Sequence, residues 1–492
     1  MGSSRFANLK FTGWSTVDIN YTAVLPEIIL SLVGISIMLL TPFVPRERQT
    51  HLGYLALAGL VLAFFGVAMG WGQTDLAFFE MIFQDDFGQF CKTFFLFVST
   101  VILLISMNYL EQEKLFQGEF FALLLFATVG MLFMATSADL IMTFVGLEVL
   151  SISTYVLAGF KERERKSSEA AWKYFLLGSF STAFLLYGIA FVYGATGSTK
   201  YSKIAEAIQA SPDYSLILLV GVGLMLVGFG FKVSLAPFHA WTPDVYEGAP
   251  IPIMALLAVA SKGAALLALA RILYQVLPDL SQQWQTILWP SAVLTMAIGN
   301  IAALTQSNIK RMLAYSSIAH AGYLLVGLTA HNSLGTQGIL FYLVAYALMT
   351  LGALTVVQIV GRREEQYTTI EDYNGLGYRY PFLGIALSVF LISLAGIPAT
   401  AGFMGKLFVF SAAVQSQMYG LVVIALVTSA IGIYYYLRVI VSMYMGEFKK
   451  EEIPITISMP MRIILTLMVL GTLYLGILPG ILLNLAEEAA SF

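Results

Sequence analysis

The sequence predicts an all-α polytopic membrane protein of about fourteen transmembrane helices, with two inverted five-helix repeats and discontinuous seventh and twelfth helices. Three observations predict this. Of 492 residues, 58% are hydrophobic and 11% charged, whereas a soluble domain carries about 25% charged residues. Mean hydropathy is +0.81, and apolar stretches of spanning length recur along the whole chain. Two of those stretches are interrupted by proline and glycine close to a lysine.

The spans fall near 24–43, 53–72, 87–109, 118–136, 139–160, 169–195 and 214–241. They continue at 251–276, 284–305, 311–330, 334–361, 381–413, 418–446 and 459–484. A helix needs about 20 apolar residues to cross, and a barrel strand only about ten, alternating. The segment from Tyr201 to Pro212 sets Ile204, Ala207 and Ile208 among polar neighbours and reads as a short interfacial helix. No polar interval is long enough for a soluble domain, and soluble enzymes are excluded. The first 23 residues lack a basic stretch followed by an apolar one, so no cleavable leader is expected.

Loop charges set the orientation. Loops after odd-numbered spans hold Arg46, Arg48, Lys114, Lys161, Arg163, Arg165, Lys166, Lys310, Arg311, Arg362, Arg363, Arg379, Lys449, Lys450 and Arg462. The other side has only Arg5, Lys10, Lys200 and Lys203. Lys and Arg accumulate in cytoplasmic loops, so both termini are expected on the non-cytoplasmic side, in agreement with an even number of spans.

Four ionisable residues lie deep in apolar sequence: Glu148 in the fifth span, Lys232 in the seventh, Lys262 in the eighth and Lys406 in the twelfth. A charge at the bilayer centre costs at least about 2.5–3.5 kcal/mol, so it needs a partner or a purpose. None of the three lysines has an opposite charge within four residues on its own helix. A desolvated lysine holds its proton less tightly, and a carboxylate about 4 Å away opposes this by about 4 kcal/mol at an effective dielectric near 20. A glutamate that approaches or leaves such a lysine can therefore switch it between loaded and empty. Static pairing or snorkelling is the plain alternative for any one of them, and is weaker for all four together. For Lys173 and Arg271, near span ends, snorkelling is the expected reading; Glu27, beside Pro26, stays open between the two. His320, near Tyr315, Ser316 and Ser317, could relay protons because imidazole titrates near neutrality, or could equally be a satisfied packing residue. His239 is the other relay candidate.

The seventh span reads Phe231-Lys-Val-Ser-Leu-Ala-Pro-Phe-His-Ala-Trp, with Pro237 shortly after Lys232. The twelfth is broken by Gly396, Pro398 and Gly402 before Lys406. Proline removes a donor and displaces a carbonyl, and the freed groups are tolerable only against protein or a wet cavity. Interrupted spans in corresponding places point to an inverted-repeat transporter. The breaks are five spans apart, an odd number, so the repeats run in opposite senses. The expected units are 1–117 (helices 1–3), 118–276 (helices 4–8), 277–446 (helices 9–13) and 447–492 (helix 14). The match is loose, since Lys232 precedes its break while Lys406 follows one; simple proline kinks are the alternative.

The single cysteine, Cys91, and the four histidines without ligand spacing imply no metal or iron–sulfur cluster on this chain. Glycines in Gly221-Val-Gly-Leu and Gly228-Phe-Gly follow no strand and read as close helix packing, not phosphate cradles. No cofactor and no nucleic-acid partner is expected; membrane lipids are.

The block Phe231-Lys-Val-Ser-Leu-Ala-Pro-Phe-His-Ala-Trp-Thr-Pro-Asp-Val-Tyr-Glu-Gly-Ala-Pro, Ala260-Ser-Lys-Gly, Asn308-Ile-Lys-Arg-Met-Leu-Ala-Tyr-Ser-Ser-Ile-Ala-His-Ala-Gly-Tyr and Gly396-Ile-Pro-Ala-Thr-Ala-Gly-Phe-Met-Gly-Lys carry a family likeness. Over roughly residues 120–445 the chain resembles the antiporter-like membrane subunits of bacterial respiratory complex I, subunit N most closely. Lys406, where sister M subunits place a glutamate, favours that branch. The resemblance implies a Glu148–Lys232 pair, Lys262 as central relay and Lys406 as the lysine of the second half-channel, with His320 less strongly implied. It also implies proton pumping out of the cytoplasm across the bacterial inner membrane, driven by quinone reduction elsewhere in the complex. Partners would be other membrane subunits of that complex, and NADH, FMN, iron–sulfur clusters and quinone would be bound by other chains. A cation/proton antiporter subunit of the multisubunit Mrp type, a membrane-bound hydrogenase subunit and a non-conducting scaffold are the competing readings.

Overall fold

The computed structural model describes residues 20–490 apart from 74, 116, 211–214, 362–364, 366 and 448–454. Arg5, Lys10, Pro212, Arg362, Arg363, Lys449 and Lys450 lie outside the described residues. Thirteen helices among those described are long and apolar enough to cross a membrane. A further traverse is built from two shorter helices, so fourteen crossings result, as the apolar stretches predict.

The first half comprises α1 (Leu25–Leu40), α2 (Leu52–Ala68), α3 (Asp86–Glu113), α4 (Glu119–Thr136), α5 (Leu140–Ala158) and α6 (Arg165–Thr196). It continues with the short α7 (Tyr201–Ala210), the broken pair α8 (Leu216–Val233) and α9 (Trp241–Gly248), and α10 (Ile251–Val276). The second half comprises α11 (Ser281–Leu304), α12 (Ile309–Ala330), α13 (Ser333–Gly361), the broken pair α14 (Pro381–Ala395) and α15 (Ala401–Gln415), and α16 (Tyr419–Met445). Last come α17 (Met459–Ile477) and α18 (Gly480–Ala489).

Local sequence starts several of these helices. Asp85, Asp139 and Asn308 cap α3, α5 and α12 by accepting hydrogen bonds from first-turn amides, which satisfies donors that no preceding carbonyl can reach. Within 118–276, α4 packs on α5 and α6 on α8; within 277–446, α11 packs on α12 and α13 on α15. In both sets the first two spans pair and the third packs on a piece of the broken span, the first piece in one set and the second in the other. Glycine makes these contacts close. A Cβ on Gly188 of α6 would stand 2.7 Å from the carbonyl oxygen of Gly221 on α8, so the expected packing role of Gly221 is met.

The spanning window of α10 is buried throughout, which places it at the centre of the bundle. Its path is interrupted by two wide turns of π-helix, Leu257–Ser261 and Ile272–Val276, on either side of Lys262–Arg271. Such bulges concentrate at functional sites. By contrast α1, α6, α16 and α17 bury less than half of their windows and present Leu, Ile, Phe and Val outward, as a lipid- or partner-facing surface requires.

Three details depart from expectation, and a fourth settles an open reading. The chain is not wholly helical: β1 (Asp75–Ala77) and β2 (Ile82–Gln84) form an antiparallel hairpin before α3. The last span ends at Ile477, and Pro479 starts the separate helix α18. Arg271 does not snorkel. It is fully buried, bonded to Asp85 through both guanidinium nitrogens at 2.6 and 2.9 Å, and sandwiched by Phe83 and Phe87. Glu27 resolves as a static pair, with Lys92 at 2.7 Å. Lys173 does reach the edge of the bundle, where it pairs with Glu169 and Asp244.

Candidate functional site

Among the described residues six lysines are buried: Lys92, Lys161, Lys232, Lys262, Lys310 and Lys406. They divide into two classes. Lys92, Lys161 and Lys310 each sit against a carboxylate. Lys232, Lys262 and Lys406, the three read from the sequence, form no ion pair and are held only by neutral dipoles and ring faces.

Lys232 lies in the last turn of α8 and donates to Ser151 Oγ and Tyr174 Oη, both at 2.9 Å. Its ammonium also lies over the rings of Tyr155 and Tyr174. Glu148 is one turn before Ser151 on α5, half-buried, and accepts a hydrogen bond from Thr182 Oγ1 at 2.8 Å. The direct Glu148–Lys232 pair implied by the resemblance is therefore not formed. Instead Ser151, Thr182 and Lys232 line one cavity, with about 10 Å³ of space for the centre of a water molecule, which is room for about one water.

Lys262 donates to Ser317 Oγ of α12 at 2.8 Å and faces the ring of Tyr246 on α9 at 5.3 Å. A second cavity of the same size touches Lys262, Ser317 and Tyr346. From Ser317 a stripe of polar residues continues along α12 at helical spacing. His320 bonds Tyr342 through Nδ1 at 2.7 Å and Tyr436 through Nε2 at 3.1 Å, and Tyr436 in turn meets Ser316. Tyr323, one turn on, packs its ring against His320 and lies 4.9 Å below Lys406. The sequence marked His320, Ser316 and Ser317; it missed Tyr323, Tyr342 and Tyr436, although Tyr323 shares their face at the i+3 position.

Lys406 donates to Ser429 Oγ at 2.8 Å and to the carbonyls of Leu394 and Ala395 at 3.2 and 3.0 Å. Those are the final carbonyls of α14, the partially negative end of the half-helix. The apparent mismatch of the two breaks thus disappears in three dimensions. Lys232 belongs to the last turn of α8, and Lys406, although it follows its break, reaches back to the last turn of α14. In the first break the freed carbonyls are met differently, Gly230 O by Leu235 N and Phe231 O by the Trp241 indole.

Gly396 makes the second arrangement possible. Its φ is +82°, and a Cβ there would stand 2.9 Å from Lys406 Cδ and Nζ. Gly396→Ala is expected to cost about 1–2 kcal/mol from the left-handed backbone alone and to push the lysine off its carbonyls. An unfolding midpoint in detergent equal to wild type would contradict this.

His239, in the loop between α8 and α9, is half-buried, and its buried Nδ1 has no hydrogen-bond partner among the described residues. It is not on the stripe that joins the lysines. No group of three or more His, Cys, Asp or Glu able to hold a metal is found among the described residues.

A family model described as NADH:quinone oxidoreductase/Mrp antiporter, TM, matches residues 137–432. NADH-quinone oxidoreductase subunit N of Trichlorobacter lovleyi is 46% identical, covering 96% of this chain and 97% of its own. Subunit N 1 of Solibacter usitatus is 43% identical over 95% and 96%. Among solved structures, a chain of respiratory complex I from Thermus thermophilus matches with TM-score 0.79 at 35% identity, over 94% of this chain and 99% of that one. A chain of the Mrp complex from Dietzia sp. DQ12-45-1b shares the fold, with TM-score 0.81 at 19% identity over 96% and 97%. By sequence and by fold the chain belongs to the NADH:quinone oxidoreductase/Mrp antiporter membrane family, in its subunit N branch.

Proposed function

We propose that this chain is the subunit N of a bacterial NADH–quinone oxidoreductase and moves protons across the inner membrane along Glu148, Lys232, Lys262 and Lys406, with His320 in the last leg. Its partners are the other membrane subunits of that complex; the redox groups sit on other chains, and the energy of quinone reduction reaches this chain through its membrane neighbours. Residues 118–276 and 277–446 act as the two inverted repeats, and both termini face away from the cytoplasm, as the loop charges favour.

One observation carries the reading. The other buried lysines are paired with carboxylates, while Lys232, Lys262 and Lys406 are buried with no carboxylate in ion-pair contact among the described residues. Each therefore holds a proton that neighbouring charge can dislodge. A carboxylate about 8 Å away acts on an ammonium with about 2 kcal/mol at an effective dielectric near 20, comparable with the 2.3 kcal/mol needed per charge against 100 mV. Glu148, bonded to Thr182 and one turn from Ser151, can close on Lys232 or stay away from it. The proton then passes from Lys232 through water to Lys262, Ser317 and the α12 stripe, and on to Lys406. The Mrp-type reading has the family model, which names both kinds of protein, and the shared fold at 19% identity behind it, whereas the subunit N relatives are 46 and 43% identical.

The test is proton stoichiometry in the reconstituted complex. Glu148→Gln and Lys406→Met are each expected to lower the protons moved per two electrons by at least about half. Both variants pumping at wild-type stoichiometry would refute the assignment.

A further inference from the structure

The half-helix α9 separates two worlds. On one flank Asp244 and Glu247 line an open basin of about 180 Å³ with Lys166, Glu169, Lys173 and Arg311. On the other, Trp241 stacks on Tyr174, the partner of Lys232, at 4.6 Å and 8°, and Tyr246 faces Lys262. The Tyr246 hydroxyl is buried without a hydrogen-bond partner among the described residues. This eight-residue helix reaches from the basin to the residues that touch both lysines, and so short a helix has little stability of its own.

Charges hold it in place. Arg311 Nη1 donates to Asp244 at 2.8 Å and to Glu247 at 3.0 Å. From α6, Lys173 meets Asp244 at 2.7 Å and Lys166 meets Glu247 at 3.0 Å, with Glu169 beside Lys173. The neighbouring Lys310 binds Ala249 O, just past the end of α9, at 2.8 Å. Arg311 and Lys310 open α12, the same helix that offers Ser317 to Lys262. Any shift of α12 therefore pulls on α9.

We infer that Arg311 is a positioning residue for proton uptake: through Asp244 and Glu247 it latches α9 shut between the basin and Lys232 and Lys262. Release of the latch lets basin water reach the orphan Tyr246 hydroxyl and the lysine behind it. The inference rests on the proposed function.

The intact complex in vesicles tests it. With no NADH present, an imposed pH gradient should decay several-fold faster for R311Q than for wild type, and protons moved per two electrons should fall during turnover. R311K, whose ammonium still bridges both carboxylates, should restore both readings. The pair Asp244→Asn with Glu247→Gln should leak at least as much as R311Q, since it also takes the carboxylates from Lys173 and Lys166, and adding R311Q to it should change nothing further, since Arg311 then has no carboxylate left to hold. A tight R311Q vesicle with wild-type stoichiometry overturns the latch, and so does an R311K as leaky as R311Q. Hydrogen exchange over 241–248 in the unaltered complex should rise on turnover while α10 stays protected; unchanged exchange also overturns it. Should R311Q be tight while Lys262→Met stops pumping, the latch falls and the proton pathway stands; should Lys262→Met pump normally, the pathway itself falls.

Discussion

Lys262→Met should abolish proton pumping, lowering the protons moved per two electrons at least about tenfold, while the protein becomes no less stable. Methionine matches the lysine stem in length and fills the same space on α10. What it removes is an ammonium that costs at least about 2.5–3.5 kcal/mol at mid-membrane and is held only by Ser317 and the face of Tyr246. A lysine that served packing alone would behave in the opposite way, with pumping kept and stability lost. Proton stoichiometry in vesicles and the unfolding midpoint in detergent, read on one preparation, separate the cases. Wild-type stoichiometry in this variant removes Lys262 from the pathway.

Asp85→Asn should destabilise the protein by about 3–5 kcal/mol, the usual result of stripping one partner from a buried ion pair. Arg271 is completely buried, and asparagine would take away the carboxylate that both of its terminal nitrogens meet. Burial pushes the Asp85 carboxyl up, and the Arg271 guanidinium more than reverses this, so the group sits below the ordinary aspartate value. A depressed value means that the stabilisation is complete above the unfolded value near 3.9 and is lost only as pH falls through the folded one. The gap between wild type and variant should therefore stay constant from pH 5 to pH 8. A gap that changes across that window would mean that the pair titrates near neutrality and is not a static anchor.

Much of this architecture could be read from the chain. Spans appear as long apolar runs because lipid demands them, and both breaks stand out because Pro237, Gly396, Pro398 and Gly402 interrupt otherwise uniform helices. Lys232, Lys262 and Lys406 stand out because charge is costly there. What stayed hidden was the rotation of each helix about its axis. In α5 the polar residues Thr143, Glu148, Ser151, Ser153 and Thr154 do not fall on one face, so no periodicity says whether Glu148 or Ser151 faces Lys232, and it is Ser151 that does. Arg271 misled for a related reason: near a span end an arginine can reach water or a carboxylate, and the carboxylate, Asp85, comes from a loop 186 residues earlier. The hairpin at 75–84 was missed because its strands are three residues each, too short to show alternation. The tyrosines that join the lysines carry no charge and look like ordinary core residues until the helices are assembled.

The two wide turns of α10 have a mechanical corollary. A turn that holds an additional residue advances the angle of everything beyond it, so the stretch Lys262–Arg271 is swivelled as one piece relative to a straight rod. The Lys262 ammonium at one end of that piece and the Arg271 guanidinium clamped at the other therefore share a single torsional setting. Asp85, by pinning one end of that piece, dials the aim of the other.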